Sequence, residues 1–181
     1  MKRHDMFPTP CLQFSLPDWK RNKKVITDLL PDEQLRNAFG ENIITDYFEE
    51  GIPAYVDQVT EIIKPVLLES PLMRTGELNI FQMWYQTAYK DMYHGIHNHG
   101  RDGWSGVIYV NLDPTIHQGT TFFNAADTYT PNVREGDMII FPSFVWHSMT
   151  RHDSDMKRTV ISFNMLPQSP KVIKTISNKS R

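Results

Sequence analysis

The chain has 181 residues, 40% of them hydrophobic and 22% charged, which fits one globular domain with its own core and excludes disorder or a disulfide scaffold. A net charge of −2 gives no basic field for gripping nucleic acid, and no stretch approaches the ~20 apolar residues that span a bilayer. The lone cysteine, Cys11, allows no intramolecular disulfide and reads as a small, partly buried hydrophobe, in keeping with a reducing cytoplasm.

The opening MKRHDMFPTP has early basic residues but no apolar run behind them, so no signal peptide is expected. Phe7, Leu12, Phe14 and Leu16, set among Pro8, Pro10 and Pro17, predict an extended segment. The basic patch from Lys20 to Lys24 reads as a solvated face leading into Val25 to Leu30, and Pro31-Asp32-Glu33 as a helix or turn start. From Ile52 to Ser70, the residues Tyr55, Val56, Val59, Ile62, Ile63, Val66 and Leu67 recur on one helical face, which predicts a helix packed on a sheet. Pro65 is expected to kink that helix or restart it.

From Glu77 the pattern changes to short β-rich runs at 78–85, 105–111, 120–123, 137–141 and 159–163, with turn residues between them. Many short strands after a helical part predict an all-β core with N-terminal helices, a sandwich or jelly roll. The expected organisation is one domain over 1–181: a helical and extended part to about 76, a β core over 77–166 and a polar tail over 167–181.

His97-Asn98-His99 carries the chemistry. Residues i and i+2 of a strand share a face, so both imidazoles can reach one ion. His147, in a later strand after Phe141-Pro142-Ser143-Phe144, can supply a third ligand and leave the opposite positions open, the arrangement of mononuclear non-haem iron oxygenases. In the run from Arg158 to Asn164, alternation puts Arg158, Val160, Ser162 and Asn164 on one face. An inward guanidinium is costly unless a carboxylate meets it, and a dicarboxylate cosubstrate that also chelates the metal would do so.

His97-x-His99, Ser105-Gly106-Val107-Ile108-Tyr109, Gly136-Asp137-Met138-Ile139-Ile140-Phe141-Pro142-Ser143 with Trp146-His147, and Arg158-Thr159-Val160-Ile161-Ser162-Phe163-Asn164 stand in one order. Over about Ile80 to Asn164 this order resembles a family of 2-oxoglutarate–Fe(II) oxygenases. The resemblance implies a double-stranded β-helix (a cupin-like jelly roll), Fe(II) on His97, His99 and His147, and Arg158 on the distal carboxylate of 2-oxoglutarate. It also implies a hydroxyl of Tyr109 turned to the cosubstrate. The wider superfamily has an acid where His99 stands, which leaves Asp102 as an alternative ligand or as an acceptor for a histidine N–H.

Trp104, beside the metal pair, is the expected substrate contact, and His94 is read as a rim or substrate-contact residue; His4, His117 and His152 are read as surface residues. Two other classes stay open: a cupin-like three-histidine dioxygenase or isomerase without 2-oxoglutarate, and a non-enzymatic jelly-roll binding module. The expected substrate is a small molecule or a peptidyl side chain, with no nucleic-acid or membrane partner, and free sheet edges permit a homodimer.

Overall fold

The computed structural model describes residues 9–31, 43–70 and 77–168. Phe7, Pro8, His4, the acids of Pro31-Asp32-Glu33 and the tail beyond 168 therefore lie outside the described residues. In chain order the elements are β1 (Leu12–Ser15), α1 (Trp19–Leu29), β2 (Ile44–Thr45), α2 (Val56–Leu68), β3 (Glu77–Ala88) and β4 (His94–His97). Then follow β5 (Trp104–Asn111), β6 (Thr121–Phe123), β7 (Thr128–Tyr129), β8 (Asp137–Pro142), β9 (Trp146–Met149) and β10 (Arg158–Gln168).

The strands form two antiparallel sheets, β1-β8-β5-β10-β3-β2 and β4-β9-β6-β7. This is the jelly roll that the sequence predicts. Alternation along the larger sheet divides its two faces. Ile108, Val110, Met138, Ile140, Ile161, Phe163 and Met165 point to the helices, where they meet Ile26 of α1 and Val59, Ile63 and Leu67 of α2. Val107, Tyr109, Ile139, Phe141 and Val160 point to the smaller sheet and pack on Phe122. Each such side chain buried contributes roughly 1.5–3 kcal/mol.

Gly106 sits on the helix side, where a Cβ would lie 2.1 Å from the Phe163 ring, so a side chain there would displace the core. The basic patch proves to be the first turns of α1, in which Lys23 pairs with Glu135 at 2.8 Å. Helix α2 runs unbroken through Pro65, because the proline is exposed and stands in the last turn, where little of the hydrogen-bond ladder remains to be lost. Among the described residues no helix is long and apolar enough to cross a membrane.

Candidate metal and cosubstrate site

The pairing of β4 with β9 builds the site: His97 and His147 are direct partners across the two strands. His99 is carried just beyond β4, where its backbone N–H donates to the Ser143 carbonyl at 2.9 Å. The ligand atoms of His97, His99 and His147 lie within 4.8 Å of one another, and they are the one such group of histidine, cysteine or acidic side chains among the described residues.

Hydrogen bonds fix each ring. Nδ1–H of His97 donates to the Gly95 carbonyl at 2.8 Å, and that of His147 to the Val145 carbonyl at 2.9 Å. Nδ1 of His99 meets Asn164 Oδ1 at 2.7 Å and Ser105 Oγ at 2.9 Å, and Asn164 is itself oriented by donating from Nδ2 to Gln82 at 3.0 Å. With Nδ1 engaged on all three, Nε2 is the nitrogen left to bind a metal. Burial, followed by the neighbouring imidazole of His97, holds His147 down to about 3, and burial likewise lowers His99. Neutral imidazoles are the form that binds metal, so the donor set fits a divalent ion such as Fe(II).

The same narrow cavity, of about 20 Å³, is also lined by Arg158, with Val107, Met149 and Val160 as apolar wall. Arg158 is 3% exposed. Its Nε donates to the Gln118 carbonyl at 3.1 Å, its Nη1 to Met149 Sδ at 2.9 Å, and its guanidinium lies 5.6 Å from the centre of the Tyr109 ring. Among the described residues no carboxylate pairs with it. Arg151, in the segment before β10, is exposed and pairs with Asp91.

The remaining sequence candidates are placed differently. The Tyr109 hydroxyl donates to Thr120 Oγ1 at 3.0 Å and accepts from the Thr120 N–H at 3.1 Å, so Tyr109 is a floor beneath Arg158 and does not line the cavity. Trp104 packs against the helix-side core, because alternation from Ser105, which faces His99, turns it to the opposite face. The aromatic at the site is Trp84, whose ring centroid lies 5.5 Å from that of His99. Asp102 is exposed and outside the ligand group. His117 and His152 are buried, not on the surface, and both donate from Nε2 to the Met156 carbonyl, at 3.2 and 2.6 Å.

His94 stacks on His97 with ring centroids 4.0 Å apart, and Gln86 Nε2 reaches its Nδ1 at 2.9 Å. Burial, then His97 and His99, hold it down to about 3. His94 and His97 are three positions apart, a spacing that alternation places on opposite faces. The register of β4 shifts between them, and this irregularity brings both rings to the cavity. Gln86, Thr120, Ser148 and Ser162 also line the cavity. Of these, Ser162 was legible from its alternation with Arg158, whereas Gln86 comes from a strand with no ligand motif.

The segment 116–164, which contains His147 and Arg158, matches the protein family described as "Putative 2OG-Fe(II) oxygenase". No curated protein matches the sequence. The fold is similar to that of a prolyl-4-hydroxylase from Pseudomonas putida, at 12% identity and a TM-score of 0.62 over 88% of this chain and 93% of that one. It is similar to HygX from Streptomyces hygroscopicus, solved with nickel and 2-oxoglutarate, at 12% identity and a TM-score of 0.64 over 88% and 84%. A viral collagen prolyl hydroxylase from Paramecium Bursaria Chlorella virus-1, in complex with 2-oxoglutarate, shares 11% identity and a TM-score of 0.58 over 86% and 94%. The family match thus covers the segment that carries His147 and Arg158, on a jelly roll whose three histidines converge as a metal site needs.

Proposed function

We propose that the chain is a hydroxylase in which His97, His99 and His147 hold Fe(II) and Arg158 binds the distal carboxylate of 2-oxoglutarate. The observation that carries this reading is the buried guanidinium of Arg158, unpaired by any carboxylate among the described residues, in the same cavity as three convergent imidazoles. A buried cation of this kind is stable only with a partner, and a bidentate carboxylate from a cosubstrate is the partner its geometry fits. When bound, iron and 2-oxoglutarate would activate dioxygen, one oxygen atom going to the substrate and the other to the succinate formed with CO2 from the keto acid.

The protein's own residues position and shield. Tyr109 and Met149 hold the guanidinium from below and beside, and Thr120, Ser148 and Ser162 offer hydroxyls around the carboxylate it would meet. Asn164 and Ser105 fix the His99 ring, and Trp84, beside that ring, is the proposed substrate contact in the role expected of Trp104. One domain working in a reducing cytoplasm is part of the proposal, in keeping with a single cysteine whose thiol burial pushes up to about 11. Pairing of two chains through a sheet edge is left to sedimentation to decide.

The test is an anaerobic titration of Fe(II)-loaded protein with 2-oxoglutarate, following the visible metal-to-ligand charge-transfer band. A saturable band is expected. The donor set of three histidines with no acid also suits oxygenases that use no keto acid, and bound iron with no band would transfer the assignment to that class.

A further inference from the structure

Beside the cosubstrate cavity lies a larger groove of about 640 Å³, which shares Trp84, Gln86, His94, His97 and His99 with it. It therefore opens directly onto the metal side of the site. Among the described residues no aspartate, glutamate, lysine or arginine lines it. Its polar wall is made of the carboxamides of Gln82, Gln86, Asn98 and Asn164, and its rim of three half-exposed rings, Tyr47, Phe48 and Phe81, at 43%, 48% and 55%. Tyr47, Phe81 and Gln82 continue into a second depression of about 320 Å³ bounded by Ile52, Pro53 and Ile80, where the acids Asp46 and Glu49 also stand.

Resting on the reading of the site as a 2-oxoglutarate oxygenase, we propose that the substrate is an uncharged side chain presented within a polypeptide, which lies extended along this groove with Tyr47 and Phe81 as its specificity-determining contacts. A free amino acid would bring an ammonium and a carboxylate within a few bonds of the reacting carbon, and each charge needs a partner once water is removed. Among the described residues the groove beside the metal supplies none, and Asp46 and Glu49 stand only in the second depression. Inside a polypeptide the same groups are amides, donor and acceptor at once, which is what the carboxamides of the groove can match. Exposed aromatic rings add apolar contact at small entropic cost.

Length favours a chain over a compact neutral molecule. The two depressions are lined by β3 from Ile80 to Gln86, about 20 Å of strand at ~3.3 Å per residue. An extended segment of some six residues spans that distance.

The experiment uses the full chain loaded with Fe(II) and 2-oxoglutarate, offered acetylated and amidated pentapeptides covering every uncharged side chain. The same side chains as free amino acids, neutral small ring compounds and peptides with flanking lysine or aspartate run alongside. Products are read as a mass gain of one oxygen, and hits are confirmed by calorimetric binding to protein loaded with nickel and 2-oxoglutarate, where no turnover occurs. Support is a blocked neutral peptide that is oxidised, with kcat/KM about tenfold or more above its free amino acid and its charged-flank versions. Phe81→Ala, at an exposed position, should then raise KM and weaken nickel-form binding about tenfold.

Turnover confined to free amino acids or small ring compounds overturns the proposal, as does a library with no oxidised or bound member. In either case an intact charge-transfer band with 2-oxoglutarate leaves the oxygenase assignment standing. Absence of that band in iron-loaded protein overturns both.

Discussion

The guanidinium of Arg158 lies 5.6 Å above the Tyr109 ring, and the Tyr109 hydroxyl is tied to Thr120 on both its donor and its acceptor side. The cation is thus set on a rigid aromatic floor, aimed into the cavity that holds the histidines. Arg158→Lys should weaken 2-oxoglutarate about tenfold and Arg158→Ala about a hundredfold, since a charge-assisted bidentate contact contributes ~1.5–3 kcal/mol. The anaerobic titration measures both, with iron content as control. Equal affinity in Arg158→Ala would remove Arg158 from cosubstrate binding.

His147→Ala should abolish stoichiometric iron binding, because the proposed site would keep only two imidazoles and has no acid in its ligand group among the described residues. Asp102→Asn should bind iron as the parent does. Iron content by metal analysis after desalting separates these outcomes, and loss of iron in Asp102→Asn would restore Asp102 as a ligand.

In the proposed site Asn164 would act on the metal through His99. Asn164→Ala leaves the His99 ring without its 2.7 Å partner and should lower metal affinity about 10–100-fold. Competition with a chelating dye reads this directly, and Asn164→Asp, which keeps the acceptor, should recover most of the loss.

Acid should destabilise the metal-free protein. Burial lowers the His94 and His147 imidazoles in the folded chain, to about 3, while in the unfolded chain they titrate near ~6.5. The unfolded state therefore binds more protons between these limits, and stability is lost as pH falls from ~6.5 towards 3. Melting temperatures of metal-free protein from about pH 7 to about pH 4 should show this, with a shallower slope in His94→Gln. An unchanged slope would show that His94 titrates alike in both states.

Asp46 is buried and accepts from the Tyr55 hydroxyl at 2.7 Å and from the Tyr85 N–H at 2.9 Å. Burial raises its carboxyl above the usual range, against the lowering by these bonds. Tyr55→Phe should cost ~1–3 kcal/mol in urea unfolding at neutral pH, where the carboxylate is charged. The cost should shrink as pH falls through the raised carboxyl range, where the folded state takes up its proton first.

The strands of the core were legible because alternation is local. Val107 to Val110, Met138 to Phe141 and Val160 to Met165 each announce two faces, and the structure assigns one face to the helices and the other to the smaller sheet. Helix α2 announced itself by its apolar stripe, whereas α1 was hidden under five consecutive polar residues, its burial resting on few positions such as Ile26.

By itself the sequence determined the jelly-roll class, the three histidines and the inward arginine, because residue type and a spacing of two suffice to define a face. Only the tertiary structure decided who else stands at the site. The β4–β9 pairing sets His97 against His147, the register shift in β4 turns His94 inward, and the long β3 delivers Trp84 and Gln86 from a segment without a motif. Trp104, beside the motif in sequence, is carried to the far face. Cross-strand neighbours are fixed by contacts between distant segments and by irregularities of register, and no local period records either.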